Sequence, residues 1–82
     1  YVDADDATLV DACRAGDADA WEHVVRRYGA LVFTVARRAG LHDDDAADVF
    51  QTVWRVAVQD LHRLREPARL GRWLARTAEF QA

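Results

Sequence analysis

The sequence lacks serine, lysine and methionine, and Cys13 is its only cysteine. A serine nucleophile and a lysine Schiff base are therefore excluded, and no histidine lies close to Cys13 in the sequence to activate it. His23, His42 and His62 do not have the spacing of a zinc site. We expect no enzymatic activity, cofactor or metal. Cys13 lies in an apolar helical pattern and cannot form an internal disulfide, so we expect a buried, unreactive thiol.

Long apolar runs are also absent, although 51% of the residues are hydrophobic. A membrane-spanning helix needs about 20 consecutive apolar residues, and a secretory leader also needs an apolar segment. We therefore expect a cytoplasmic protein. Its 82 residues suffice for one domain, residues 1–82, with a modest core.

Apolar residues recur at helical spacing along most of the sequence, which predicts an all-α, four-helix domain. Asp5 or Asp6 is expected to cap the first helix, which ends at Gly16. Asp17 is expected to cap the second, which ends at Gly40.

The second predicted helix contains Gly29, and an interior glycine costs about 1 kcal/mol relative to alanine. We therefore expect a neighbouring helix to approach the chain closely at this residue.

Three consecutive aspartates, at residues 43–45, open the third predicted helix. Carboxylates are stabilised at a helix N-terminus, whereas a calcium loop needs spaced ligands and a turn glycine, so we favour a helix start over a metal site. This helix is expected to end near Leu64, and Pro67 suits the first turn of a fourth helix. The inward face of the fourth helix is predicted to consist of Leu70, Trp73, Leu74, Thr77 and Ala78.

The third helix is predicted to have two different faces. Its apolar face consists of Ala46, Val49, Phe50, Val53, Ala57, Leu61 and Leu64. Its polar face consists of Asp48, Gln51, Thr52, Arg55, Gln59 and His62. Trp54 and Val58 lie between the two, where interface anchors are commonly found. The pattern predicts that this helix binds a protein partner.

Charge is distributed unevenly along the chain, whose formal net charge is −3. Residues 1–19 carry six acidic side chains and one arginine, whereas residues 55–82 carry six arginines and three acidic side chains. Net charge alone argues against nucleic-acid binding. Arginines nevertheless recur at helical spacing near the fourth helix, at Arg65, Arg69, Arg72 and Arg76. This row would either follow a phosphate backbone or form a solvated surface.

Four short motifs resemble region 2 of bacterial sigma factors of the sigma-70 family, particularly the extracytoplasmic-function (ECF) group. The central motif is Asp48-x-x-Gln51 within residues 45–54, which is similar to region 2.2. Residues 11–21 resemble the opening helix and turn, residues 28–33 resemble region 2.1, and residues 65–78 resemble the stretch from region 2.3 into region 2.4. The four motifs occur in the order of the family.

The resemblance implies a compact helical domain that docks on the clamp helices of the largest subunit of core RNA polymerase. It also implies engagement of the −10 promoter element and DNA opening by capture of the non-template strand. Asp48 and Gln51 carry the polymerase-binding motif, and the helical wheel adds Trp54, Arg55 and Val58. The DNA-binding candidates on the loop and last helix are Arg63, Arg65, Arg69, Arg72 and Arg76.

The sequence departs from the family pattern in its last residues. Glu79-Phe80-Gln81 stands where many relatives have basic or amide residues, so either this end points away from DNA or promoter binding has been lost. No aromatic residue lies between Gln59 and Arg72, and Trp73 is expected in the core, which leaves the loop backbone and arginines to open the strands.

No second helix-turn-helix domain follows, so we expect a fragment that lacks the C-terminal region 4 domain. Two alternatives remain open. The first is a sigma-like interaction module, bound by an anti-sigma factor or by polymerase without promoter binding. The second is a helical adaptor unrelated to transcription.

Overall fold

The computed structural model describes residue 1 and residues 3–81, and in this part of the chain it contains four α-helices and no strand. The helices are α1 (Asp6–Arg14), α2 (Ala18–Arg38), α3 (Asp43–Asp60) and α4 (Leu70–Gln81). Two short 3-10 helices, Leu61–Arg63 and Pro67–Arg69, connect α3 to α4. The predicted all-α, four-helix class is confirmed. Ala82, the predicted end of the domain, lies outside the described residues.

The starts and ends of the first two helices agree with the sequence prediction. The Asp5 carboxylate accepts a hydrogen bond from the backbone N–H of Thr8 at 2.8 Å, and this bond lowers the pKa of Asp5. Asp17 caps α2 in the same way, through the backbone N–H of Asp19 at 2.9 Å. Gly16 and Gly40 both have a φ of +87°, in the left-handed region that glycine adopts without strain. Local capping chemistry therefore fixes these boundaries.

The connection between α3 and α4 differs from the prediction. The third helix ends at Asp60, not near Leu64, and a 3-10 turn follows. Arg14 of α1 donates hydrogen bonds from Nη2 to the carbonyl oxygens of Leu61, at 3.1 Å, and of Leu64. The Leu61 carbonyl also accepts the backbone N–H of Leu64 at 3.0 Å, so the Arg14 side chain and the 3-10 turn together satisfy it.

The start of α4 is also later than the sequence suggested. Pro67 occupies the first turn of the second 3-10 helix, and α4 begins at Leu70. Glu66 has an extended backbone (φ −119°, ψ 94°), as expected for a residue that precedes proline. The arginines at 65 and 69 consequently lie before α4 and not on it.

The core lies where the four helices meet, and α2 contacts each of the other three. Each helix contributes side chains that are fully buried, and burial of such a side chain stabilises the fold by about 1.5–3 kcal/mol. The largest of them are Leu9, Val10, Val24, Val32, Val53, Leu70 and Leu74.

Two glycines mark contacts between helices. A Cβ atom placed on Gly29 would lie 3.5 Å from the ring of Phe50 in α3, so the predicted approach at this residue is an ordinary van der Waals contact. A Cβ atom on Gly71 of α4 would lie only 2.8 Å from Cε1 of Tyr28 in α2. The closer contact is therefore at Gly71, where an added methyl group would displace the Tyr28 ring, and the sequence pattern gave no indication of it.

Candidate functional site

The outer side of α3 presents the polar residues that the helical pattern placed there. Asp48, Gln51 and Arg55 are exposed, whereas Ala46 and Val53 are fully buried on the opposite side. This division follows from the helical repeat, which separates the two sets of side chains by roughly half a turn. We call Asp48, Gln51, Trp54, Arg55 and Val58 the docking face.

The two apolar members of the docking face differ in how far they are available to a partner. Val58 is 63% exposed, which is high for a branched aliphatic side chain on a packed helix. Trp54 is half-buried and packs edge-to-face on Phe50, with the ring centroids 5.7 Å apart. Its Nε1 is buried without a hydrogen-bond partner among the described residues, at a cost of about 1–3 kcal/mol. Val58 is therefore the more accessible anchor.

A groove of about 350 Å³ adjoins the docking face at Val58. Its other lining residues are Cys13, Arg14, Gly16, Trp21, Leu61 and His62. Cys13 is buried, and burial raises the pKa of its thiol to about 11. The buried thiol predicted from the sequence is thus confirmed, and it is protonated at neutral pH.

A second groove, of about 340 Å³, lies where the connection from α3 meets α4. Leu64 and Trp73 provide apolar surface, and guanidinium groups surround them. We call this site the arginine groove; it is lined by Leu64, Arg69, Arg72, Trp73 and Arg76.

Trp73 packs against the core, as the sequence predicted, but it is only half-buried. It also lines the arginine groove, which the sequence pattern did not predict. The buried side of α4 is centred on Leu74, and a residue one position earlier in a helix points about 100° away. Trp73 therefore lies at the border of the core, with part of its ring facing the groove.

The predicted DNA-binding arginines do not form one helical row. Only Arg72 and Arg76 lie on α4, and they line the arginine groove together with Arg69 of the preceding 3-10 helix. Arg63 and Arg65 are exposed on the connection before Pro67 and are not among the residues that line the groove.

Arg69 is the one groove arginine that has an ion pair among the described residues. Its Nε lies 2.9 Å from the Glu66 carboxylate, and both side chains are mostly exposed. Such a surface pair contributes about 0–1 kcal/mol, so a phosphate can compete with Glu66 for this arginine.

The start of α4 is held in place by Tyr28 of α2. The Tyr28 ring lies against Gly71, and its hydroxyl donates a hydrogen bond to the Asp6 carboxylate. Burial, together with this bond, raises the pKa of Tyr28 to about 12. Arg27 also donates to Asp6, at 3.2 Å. Hydrogen bonds therefore join α1 to α2, and the Tyr28 ring packs against the start of α4.

Glu79, the acidic departure from the family pattern, does not line the arginine groove. It lines a separate groove on the α2 side of the molecule, together with Val35, Arg38 and Ala39. The Glu79 carboxylate therefore lines the same groove as the Arg38 guanidinium of α2.

The aspartates at the start of α3 lie in the first turn of the helix, as predicted, and Asp43 forms an ion pair with Arg37. Within residues 1 and 3–81, no three His, Cys, Asp or Glu side chains are placed to hold a metal ion. The same part of the chain contains no helix that is long and apolar enough to cross a membrane.

Comparison with protein families gives one relevant match. A family model described as sigma-70 region 2 matches residues 24–82, which include both the docking face and the arginine groove. Curated proteins and solved structures give no match. Because the family model covers most of the chain and its helical fold agrees with the observed one, the chain belongs to the sigma-70 family as a region 2 domain.

Proposed function

We propose that this domain docks on core RNA polymerase through the docking face of α3 and engages the −10 promoter element through the arginine groove. Membership of the sigma-70 region 2 family implies polymerase binding and −10 recognition in general. The observation that carries the specific proposal is the separation of the two surfaces. A face that carries one carboxylate, one amide and one guanidinium lies on α3, and a groove with three arginines lies beside α4.

The chemistry of the docking face suits a polar coiled coil with basic residues, which the clamp helices of the largest polymerase subunit would provide. Asp48 offers carboxylate oxygens, and Gln51, nearly one turn later, offers both a donor and an acceptor. Such groups confer orientation and specificity more than affinity. Val58, exposed beside them, supplies apolar area that a partner can bury.

The arginine groove suits single-stranded DNA. Guanidinium groups bind phosphates, and an aromatic ring can stack on an unpaired base. The sequence alone suggested that strand opening would depend on the loop backbone and arginine, because Trp73 was expected in the core. With Trp73 in the groove, an aromatic surface lies among three arginines, and we propose that it contacts a base of the non-template strand.

We assign the domain to the ECF group because the motif at residues 45–54, which contains Asp48 and Gln51, resembles region 2.2 of that group. A polymerase partner implies a cytoplasmic location. An anti-sigma factor would bind the docking face and block polymerase, so its binding is compatible with this function. Polymerase or anti-sigma binding without DNA affinity would instead favour the interaction module.

A salt titration of DNA binding tests the role of the arginine groove. Fluorescence anisotropy would measure binding of the chain to a short single-stranded oligonucleotide of mixed sequence, because the promoter sequence is unknown. Arg72→Ala with Arg76→Ala should weaken binding and reduce the slope of log affinity against log salt by about 0.7 per lost phosphate contact.

Arg26→Ala with Arg38→Ala is the matched control, since it removes two exposed arginines from α2. This control should keep the slope of the wild type. If both double variants change the slope equally, binding depends on overall charge and the arginine groove is not the DNA site.

A further inference from the structure

Phe80, near the end of α4, is 87% exposed and is the most exposed of the large hydrophobic residues in the described part of the chain. A single exposed apolar side chain needs no explanation by itself. The position of Phe80 matters because it lies on the same side of α4 as Trp73, which lines the arginine groove.

Phe80 follows Trp73 by seven residues, which is nearly two helical turns. At about 100° per residue the two side chains point in directions only about 20° apart, and they are separated by about 10 Å along the helix axis. Arg76 lies between them on the same side of α4. One side of α4 therefore carries an aromatic residue, an arginine and a second aromatic residue in succession.

Glu79 follows Arg72 by seven residues and Arg76 by three, so it lies on the side of α4 that carries these arginines. Its side chain points about 100° away from that of Phe80, and it lines the groove with Arg38 on the α2 side. The last turn of α4 thus separates its acidic residue from its aromatic one.

We propose that Phe80 extends the arginine groove, so that a single strand leaving the groove past Arg76 stacks a base on the Phe80 ring. This inference rests on the proposed function, because it requires a nucleic acid in the groove. A positively charged track with aromatic rings along it is the usual arrangement for binding single strands. The spacing from Trp73 to Phe80 corresponds to about three nucleotides at a stacked rise of about 3.4 Å.

The chemistry of the contact defines the role of Phe80. Every base has a π-face, so stacking adds affinity without selecting a sequence. A phenyl ring carries no charge, so its contribution should not depend on salt in the way that arginine contacts do.

The test measures binding of single-stranded DNA by Phe80→Ala in the same salt titration. We expect affinity to fall about fivefold or more, the lower end of the range for a stacking aromatic, with an unchanged salt slope. Phe80→Trp should restore or exceed wild-type affinity, whereas Phe80→Leu should not, because leucine keeps apolar area but has no π-face. Since the side chain is exposed, these variants should fold like the wild type.

Leu31→Ala is the matched control, because it shortens another exposed apolar side chain, 39% exposed, on α2. It should leave DNA binding unchanged. Wild-type affinity in Phe80→Ala would overturn the inference while leaving the proposed function intact. Unchanged DNA binding with loss of polymerase binding would assign Phe80 to a protein interface and also overturn it. Failure of the wild type to bind DNA would overturn both proposals.

Discussion

Gly29 in the middle of α2 and Gly71 in the first turn of α4 provide a matched test of how closely these helices pack against their neighbours. The change is the same in both cases, Gly29→Ala and Gly71→Ala. Each substitution reduces the conformational cost of glycine, which is about 1 kcal/mol relative to alanine in a helix interior. The two differ in what the added methyl group would contact.

At Gly29 the new Cβ atom would lie 3.5 Å from the Phe50 ring, which is an ordinary contact. Gly29→Ala should therefore raise the free energy of unfolding by about 0.5–1 kcal/mol. At Gly71 the Cβ atom would lie 2.8 Å from Cε1 of Tyr28, whose hydroxyl is bonded to Asp6. Such overpacking costs about 1–3 kcal/mol, so Gly71→Ala should be neutral or destabilising by up to about 2 kcal/mol.

Urea denaturation, monitored by circular dichroism, would measure the free energy of unfolding of both variants. The predicted difference between the variants is about 1–3 kcal/mol, and each 1 kcal/mol shifts Tm by about 4–8 °C in a domain of this size. Adding Tyr28→Leu should remove the penalty of Gly71→Ala, because it removes the ring that the methyl group would meet. If Gly71→Ala stabilises as much as Gly29→Ala in the wild-type background, the packing of α4 against Tyr28 described above is wrong.

Three further predictions concern single side chains. Because Cys13 is buried with a pKa of about 11, a thiol reagent at pH 8 should modify the native protein far more slowly than the urea-unfolded chain; equal rates would contradict its burial. The folded pKa of Tyr28, about 12, lies above the ordinary value of 10.0, so its stabilisation should be lost as pH rises between these values. Alkaline denaturation of Tyr28→Phe should be less steep than that of the wild type, and identical profiles would refute this. Glu66→Gln should tighten single-stranded DNA binding by up to about fivefold by freeing Arg69, whereas Glu22→Gln, which breaks a similar pair on α2, should not.

Local chemistry explains why much of the fold could be predicted. Asp5 and Asp17 precede helical segments as capping residues, and Gly16 and Gly40 can adopt the left-handed backbone that ends a helix. The apolar spacing in α3 likewise identified its exposed side, on which Gln51 lies. These features depend on residues only a few positions apart.

The remaining features depend on contacts between distant residues. Arg14 binds carbonyl groups of residues 61 and 64, so the end of α3 is determined partly by α1. The close packing at Gly71 comes from Tyr28 of another helix.

Trp73 shows a second limit of the helical pattern. Spacing identifies a residue at the border of an apolar face but does not show whether a neighbouring element covers it. The connection that carries Leu64 and Arg69 leaves part of Trp73 in a groove, and this arrangement follows from the tertiary fold alone.

The central claim is that α3 binds core RNA polymerase, and capture of purified core enzyme by the immobilised domain tests it most directly. Asp48→Ala with Gln51→Ala should abolish capture while leaving the circular dichroism spectrum unchanged. Asp11→Ala with Thr34→Ala is the matched control, because it removes one exposed carboxylate and one exposed uncharged polar group elsewhere. Capture by the wild type and the control alone is the predicted result, and capture of core enzyme by the Asp48/Gln51 double variant at wild-type level would contradict the docking assignment.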